Sequence, residues 1–313
     1  SAKKLHAFLQ RTYPGCRIQC AYEAGYCGFW VYDQLEELGM TTTVVHPADV
    51  PTTDKERRFK EDVRDSRKLA IALRAGLLKG IYVPPLQQRL DRSLVRQRYR
   101  THGNTQRTQR RIRGHLHFHG VALEDIKAKR GWTNARITML EGLAERTGDA
   151  GLTLLLSTLR QQQQMDREVL KQLSQLCQED RLAMEVHLLR SIPGVGLLTA
   201  LVFLVEVGDV RRFTWDQLHA YCGLIPGSRS AGETDIKTRM TKRGNTYLRT
   251  ALVLSSWMAI RLDAAMLKAY ERLCKRMKGQ KAIIRIAKKQ ANRMRSVLIN
   301  QKRFTPQTLE LCG

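Results

Sequence analysis

Acidic side chains are scarce in this 313-residue sequence: 29 Asp and Glu stand against 54 Lys and Arg, a formal net charge of +25. A balance this positive says little about fold and much about partners. It favours a polyanion, either nucleic acid or an anionic membrane surface. Long hydrophobic runs are missing too. No stretch approaches 18 consecutive apolar residues, and Leu197–Val205 is too short to span a bilayer, so no membrane partner is expected. No charged-then-apolar leader opens the chain, so secretion is not indicated. The seven cysteines are odd in number, scattered, and form no Cys-x-x-Cys pair. That argues against a disulfide framework and a zinc finger. A reducing interior, bacterial cytoplasm or nucleoid, is the expected compartment. Hydrophobic residues at 42% are enough for a core, and the length predicts about two domains.

The basic charge is uneven. Leu86–Phe118 holds nine Arg and one acid, Asp91, and Arg276–Arg303 holds ten Lys and Arg with no acid. Stretches of one sign repel themselves unless phosphates neutralise them, which favours nucleic acid over a bland solvated face.

Residues 1–85 alternate strand and helix. Arg17–Tyr22 alternates Ile18, Cys20 and Tyr22 with polar or small residues and reads as a strand. Phe29–Leu38 reads as an amphipathic helix ended by Gly39, and Thr42–His46 as a β-branched strand stopped by Pro47. Asp62–Ala75 reads as a helix ended by Gly76, and Ile81–Val83 as a short strand before Pro84-Pro85. A β-α-β-α-β order predicts a parallel sheet. The segment is too small for a complete doubly covered sheet, so further strands are expected to precede it. Residues 86–190 carry almost no strand signal. There Leu152, Leu155, Leu159, Gln162, Asp166, Val169, Leu173 and Leu176 follow coiled-coil spacing, and pairing between chains is expected. Residues 191–313 read as mostly helical, with a Gly/Ser-rich loop at Gly223–Gly232. The fold class expected is α/β followed by all-α.

Glu23 stands at the end of the first strand, where α/β sheets bind ligands. Asp62 and Asp65 lie three apart near a helix start and share one face. Such carboxylates suit Mg²⁺, and paired ions would stabilise the entering and leaving oxygens at a phosphodiester. They equally suit a helix N-terminus that favours negative charge. Ser191–Gly196, with Ile192, Gly194 and Gly196 before an apolar helix, has the helix-hairpin-helix pattern, which grips a backbone phosphate through N–H groups. A plain turn between core helices is the competing reading. Ser230 and Arg229 lie in the loop after Gly223, followed by Lys242, Arg243 and Arg249. These could clamp a backbone and stabilise charge on phosphorus, or bind phosphate with no covalent role. Lys288, Lys289 and Arg293 are candidate phosphate contacts in the basic tail. His115, His117 and His119 read as helix-surface histidines near phosphates, since no acid follows until Glu124.

Five stretches, in order, carry a resemblance. They are Tyr22–Gly25, Lys60–Ala70, Ser191–Gly196 with its helix, Tyr221–Pro226, and Thr241–Asn245 with Tyr247–Arg249. Together they resemble the Piv-invertase-type insertion-sequence transposases, a family with an Asp-Glu-Asp-Asp acidic set and members guided by a structured noncoding bridge RNA. The resemblance implies an RNase H-like domain similar to Holliday-junction resolvases over 1–85, a helical coiled-coil region over 86–190, and a transposase domain over 191–313. It implies Mg²⁺ at positions matching Glu23, Asp62 and Asp65, and strand exchange between donor and target DNA through a covalent phosphoserine. It also implies assembly as a dimer or tetramer. Two positions depart from the pattern. The first aspartate belongs on a strand upstream of residue 1. Ala231 stands where the family has its serine nucleophile, immediately before Gly232. Either Ala231 is a substitution that traps a complex, or Ser230 takes the role, or the chain is inactive. A metal-dependent structure-specific nuclease or resolvase, and a non-catalytic nucleic-acid-binding protein, are the alternative functions.

Overall fold

A computed structural model describes residues 1–51, 61–122, 131–231, 234–240 and 243–306, with side chains outside 228–239. Two compact units divide the chain, Ser1–Pro85 and Leu86–Gly313.

In the first unit, strand β1 (Gln19–Glu23) pairs in parallel with β2 (Thr41–Val45), from Gln19 opposite Thr41 to Glu23 opposite Val45. Helix α1 (Ala2–Thr12) precedes them and α2 (Trp30–Glu37) connects them. Gly39 ends the turn after α2 at φ 76, a left-handed conformation that costs glycine little. A small core of Ala2, Leu35 and Met40, flanked by Leu9, Ile18 and Val31, fastens both helices to the sheet. Helix α3 (Asp62–Arg74) follows. The strand expected at Ile81–Val83 is reduced to a bridge between Val45 and Gly80, with Ile81 N–H donating to the Val44 carbonyl at 2.7 Å. Pro84 and Pro85 lack the N–H groups that would extend the ladder. Helix α1 has no counterpart in the sequence reading. Its apolar Leu5 and Phe8 are largely exposed, so its pattern is faint.

Among the described residues, the second unit is helical apart from one hairpin and the connecting turns. Its helices are α4 (Leu86–Phe118), α5 (Asn134–Thr147), α6 (Ala150–Leu176), α7 (Asp180–Arg190), α8 (Leu197–Val207), α9 (Trp215–Tyr221), α10 (Thr246–Leu262), α11 (Ala264–Cys274) and α12 (Gly279–Asn300). Every residue of α8 from Ala200 to Val207 is buried, as an all-round apolar helix should be. The main core spans α4, α6, α7, α8, α10 and α12. A second core joins Ile112 and Leu116 of α4, Ile137 and Leu140 of α5, and Leu152, Leu156 and Leu159 of α6. No single helix among the described residues is long and apolar enough to cross a membrane.

Two expectations are corrected here. The α6 seam is consumed within one chain: Leu152 and Leu159 pack against α4 and α5, and Val169, Leu173 and Leu176 join the main core. Asp166, a polar seam position, accepts from Thr105 of α4 at 3.1 Å and pairs with Arg98 at 3.6 Å. These partners are what a second chain would have had to supply. The Gly/Ser-rich segment is a strand rather than a loop: β3 (Pro226–Ala231) pairs antiparallel with β4 (Thr234–Met240), with Ser230 opposite Asp235 and Ala231 opposite Thr234. Thr234, Ile236 and Thr238 give β4 the β-branched alternation that stabilises it.

Candidate active site and nucleic-acid interface

Glu23 sits at the C-terminal end of β1, where the ladder continues through Ala24 N–H to the Val45 carbonyl at 2.8 Å. Asp62 and Asp65 occupy the first turn of α3. The parallel pairing and the start of α3 bring all three carboxylates to the wall of one open pocket of about 520 Å³, with Gln19, Ser66 and apolar Leu69 and Leu73. Asp65 also meets Lys68 one turn on, at 3.5 Å. The pocket therefore offers oxygen ligands of negative charge, the donor set that hard cations such as Mg²⁺ prefer.

The Ser191–Gly196 turn is divided in role. Ile192 is buried in the main core and supplies packing rather than a nucleic-acid contact. Gly194, at φ 83, faces the backbone of α10: a Cβ there would lie 2.5 Å from the Ser255 carbonyl and 2.6 Å from the Ala259 nitrogen. Only Gly196 is exposed, as the N-cap of α8 with open space around it. Its position leaves the first N–H groups of α8 available to an anion.

Gly223 and Gly244 cross at van der Waals contact, so a Cβ on either would collide, the first with the Arg249 guanidinium and the second with the Gly223 backbone. This crossing fixes the start of the hairpin against α10, with Asn245 N–H donating to the Tyr221 carbonyl at 2.8 Å. The organiser beneath it is Glu206, a residue the sequence reading missed. Glu206 is fully buried on α8 and accepts from Arg96 at 2.7 and 2.8 Å and from Asn245 at 2.7 Å, with Arg92 at 3.7 Å. The hydrogen bond to Glu206 holds the Arg96 guanidinium above its usual range. A lone acid inside an apolar helix is the signal that would have found it, because a buried carboxylate needs partners. Arg243 is exposed and Arg249 half-buried. The side chains of Arg229, Ser230 and Ala231, and all of Gly232 and Lys242, lie outside the described residues.

The two basic runs are each split between inside and outside. On α4, Arg92, Arg96 and Arg98 meet Glu206 or Asp166, whereas Arg100, Arg107, Arg110 and Arg111 are exposed. On α12, Arg293 pairs with Asp263 at 2.6 Å and lies over the Phe304 ring at 4.5 Å. Arg293 is thus engaged by an acid of its own fold, unlike the exposed bases of α12. Lys281, Arg285 and Lys289 are exposed at one-turn spacing, and Lys288 is half-buried. Beyond α12, a pocket of about 550 Å³ is lined by Lys302, Arg303 and Asn300 with Arg293.

His117 and His119 are exposed, as helix-surface histidines should be, but His115 has an acid beside it that the sequence did not suggest. Asp149, the N-cap of α6, comes within 2.6 Å of His115 Nε2, and the His119 ring centroid lies 4.7 Å from that of His115. A carboxylate at this spot repels phosphate. Proximity in sequence gave no hint of it, since α5 lies between.

A carboxylate pocket at a strand end and a strongly basic helical unit are the parts of a transposase, and comparison with known proteins makes the family explicit. Residues 1–120 match the transposase pattern of the Asp-Glu-Asp-Asp IS110 class, and residues 186–271 match the family described as Transposase IS116/IS110/IS902. The chain carries both domains of the IS110-family transposases. It is 33% identical over 241 residues to y4qE of Sinorhizobium fredii, a protein with a transposase name, covering 77% of this chain and 58% of y4qE. It is 27% identical over 243 residues to the transposase for insertion sequence element IS1111A of Coxiella burnetii, covering 76% of this chain and 64% of that protein. A Pseudomonas aeruginosa protein with a family 20 transposase name is 26% identical over 306 residues, 95% of this chain and 88% of its own length. The chain therefore spans less than two thirds of y4qE and of the IS1111A transposase.

Proposed function

We propose that this chain is the working part of a DNA transposase that cuts and rejoins strands of donor and target DNA, directed by a structured noncoding RNA. The observation that carries the reading is that Glu23, Asp62 and Asp65 line one open pocket in a chain made of IS110-family domains. The all-oxygen donor set fits Mg²⁺, which when bound polarises a phosphodiester and stabilises the leaving oxygen. Glu23, Asp62 and Asp65 would hold it, with Asp65 exchanging its contact to Lys68. An RNase H-like arrangement of this first unit is part of the proposal.

In the second unit, the hydroxyl of the family would stand at position 231 on β3 and attack phosphorus. Ser230 is the neighbouring hydroxyl in this chain. Arg229, Lys242, Arg243 and Arg249 would neutralise the charge that develops there. Gly196 with the start of α8, and the exposed bases of α4 and α12, would hold phosphates without reading sequence. Guide RNA pairing would supply the sequence specificity. Assembly as a homodimer or homotetramer is part of the proposal.

The test uses the chain co-expressed with the noncoding RNA of its own element, Mg²⁺, and DNA carrying the element's ends. Ala231→Ser should give a protein–DNA adduct that survives detergent, and adding Asp62→Asn should remove it. No adduct with Ala231→Ser overturns the serine step. An adduct that survives Asp62→Asn overturns the role of the pocket.

A further inference from the structure

The second unit holds a group of side chains that the proposed reaction does not use. His115 and His119 stand one turn apart on α4, and Asp149 reaches them from the first residue before α6. One ligand atom from each lies within 4.8 Å of the other two. Among the described residues this is the one such convergence of three. Asp149 is held by its other oxygen, which accepts from Leu152 N–H at 2.8 Å. His115 and Asp149 are about four-fifths buried, while His119 is exposed and closes the cluster from the solvent side. Gly151 makes room for them: a Cβ there would stand 3.3 Å from Asp149 Oδ1 and 3.4 Å from His115 Cε1. A pocket of about 410 Å³ opens beside the three residues.

We propose that His115, His119 and Asp149 form a binding site for a zinc-class divalent ion, separate from the oxygen-only pocket of the first unit. Two imidazoles and one carboxylate are the ligand set of three-residue zinc sites, in which water takes the fourth position. Imidazole nitrogen disfavours Mg²⁺ and Ca²⁺ and favours Zn²⁺, Co²⁺ and Ni²⁺. The carboxylate of Asp149 disfavours a phosphate as the ligand here. The site bridges the end of α4 to the start of α6 across the smaller core of Ile112, Leu116, Ile137, Leu140 and Leu152. A metal there would add a tie between α4 and α6 to a core already fastened across α5 and α6 by Arg160, which donates to Glu141 and Thr138. The ion ties the end of α4 to the start of α6 and so sets the geometry of the exposed basic half of α4.

The full chain is stripped with a chelator, reloaded with Zn²⁺ or Co²⁺ alone, and passed over a desalting column. The expected result is one metal per chain by elemental analysis, with visible absorption of low-symmetry Co²⁺. His119→Gln should weaken Zn²⁺ by more than the about 10–100-fold that loss of an outer partner costs, and its circular dichroism should match wild type, because His119 is exposed. Asp62→Asn should retain the metal. His119→Cys should keep Co²⁺ and add a thiolate-to-cobalt band. Failure of wild type to retain metal, full retention by His119→Gln, or a His119→Cys spectrum without that band overturns the site.

Discussion

The pocket of Glu23, Asp62 and Asp65 and the cluster of His115, His119 and Asp149 are built from opposite materials. The first is all oxygen, open, and mounted on a strand end and a helix start. The second mixes nitrogen and oxygen and fastens two helices together. Glu206 is a third case, a buried carboxylate already satisfied by Arg96 and Asn245. A carboxylate's surroundings, more than its presence, decide whether it can take a hard ion, a borderline ion or none.

The sharpest way to break this comparison is Asp62→Asn in an Ala231→Ser chain. Strand cleavage should fall by about 10³-fold or more, the scale of several kcal/mol of charge stabilisation, while zinc content stays at wild type. Gel assays and elemental analysis check both. Glu206→Ala comes next. It strands Arg96 and Arg92 and should cost about 3 kcal/mol in urea unfolding, toward the lower bound for a broken buried pair because Arg96 is partly exposed. If Glu206→Ala costs under about 1 kcal/mol, the network carries no weight.

Smaller effects separate bases that face solvent from bases that face acids. Replacing Lys281, Arg285 and Lys289 with Ala should flatten the salt dependence of DNA binding by about 3 in log–log slope. Arg293→Ala should leave the slope unchanged and lower stability, as fluorescence titration and thermal melting would show. Asp263 gives the smallest effect. Burial pushes its carboxyl up, but Arg293 and the N–H groups of Ala265 and Met266 outweigh this, so its pKa lies below the usual carboxylate range. Its stabilisation is therefore present above about pH 4 and lost as pH falls through the lower folded value. Asp263→Asn should flatten the acid limb of stability against pH.

The acidic pocket was legible because strand end, helix start and Asp-x-x-Asp spacing are local features. So were α2, α3, β2 and the glycines that end them. The hairpin was not, because β3 has no alternation of its own and depends on β4. The roles of Arg92, Arg96 and Arg98 were hidden because Glu206 and Asp166 lie 68 or more positions away. Asp149 reaches His115 from 34 positions away. Ile192 and Gly194 matched a phosphate-binding pattern, yet that pattern equally describes a turn packed on a helix, and α10 occupies the space.

Manganese titration followed by electron paramagnetic resonance, on zinc-loaded chain, tests the central claim most directly. Wild type should bind Mn²⁺ in the first unit, and Glu23→Gln or Asp62→Asn should release it with zinc still in place. Equal Mn²⁺ binding in wild type and both variants would contradict the account.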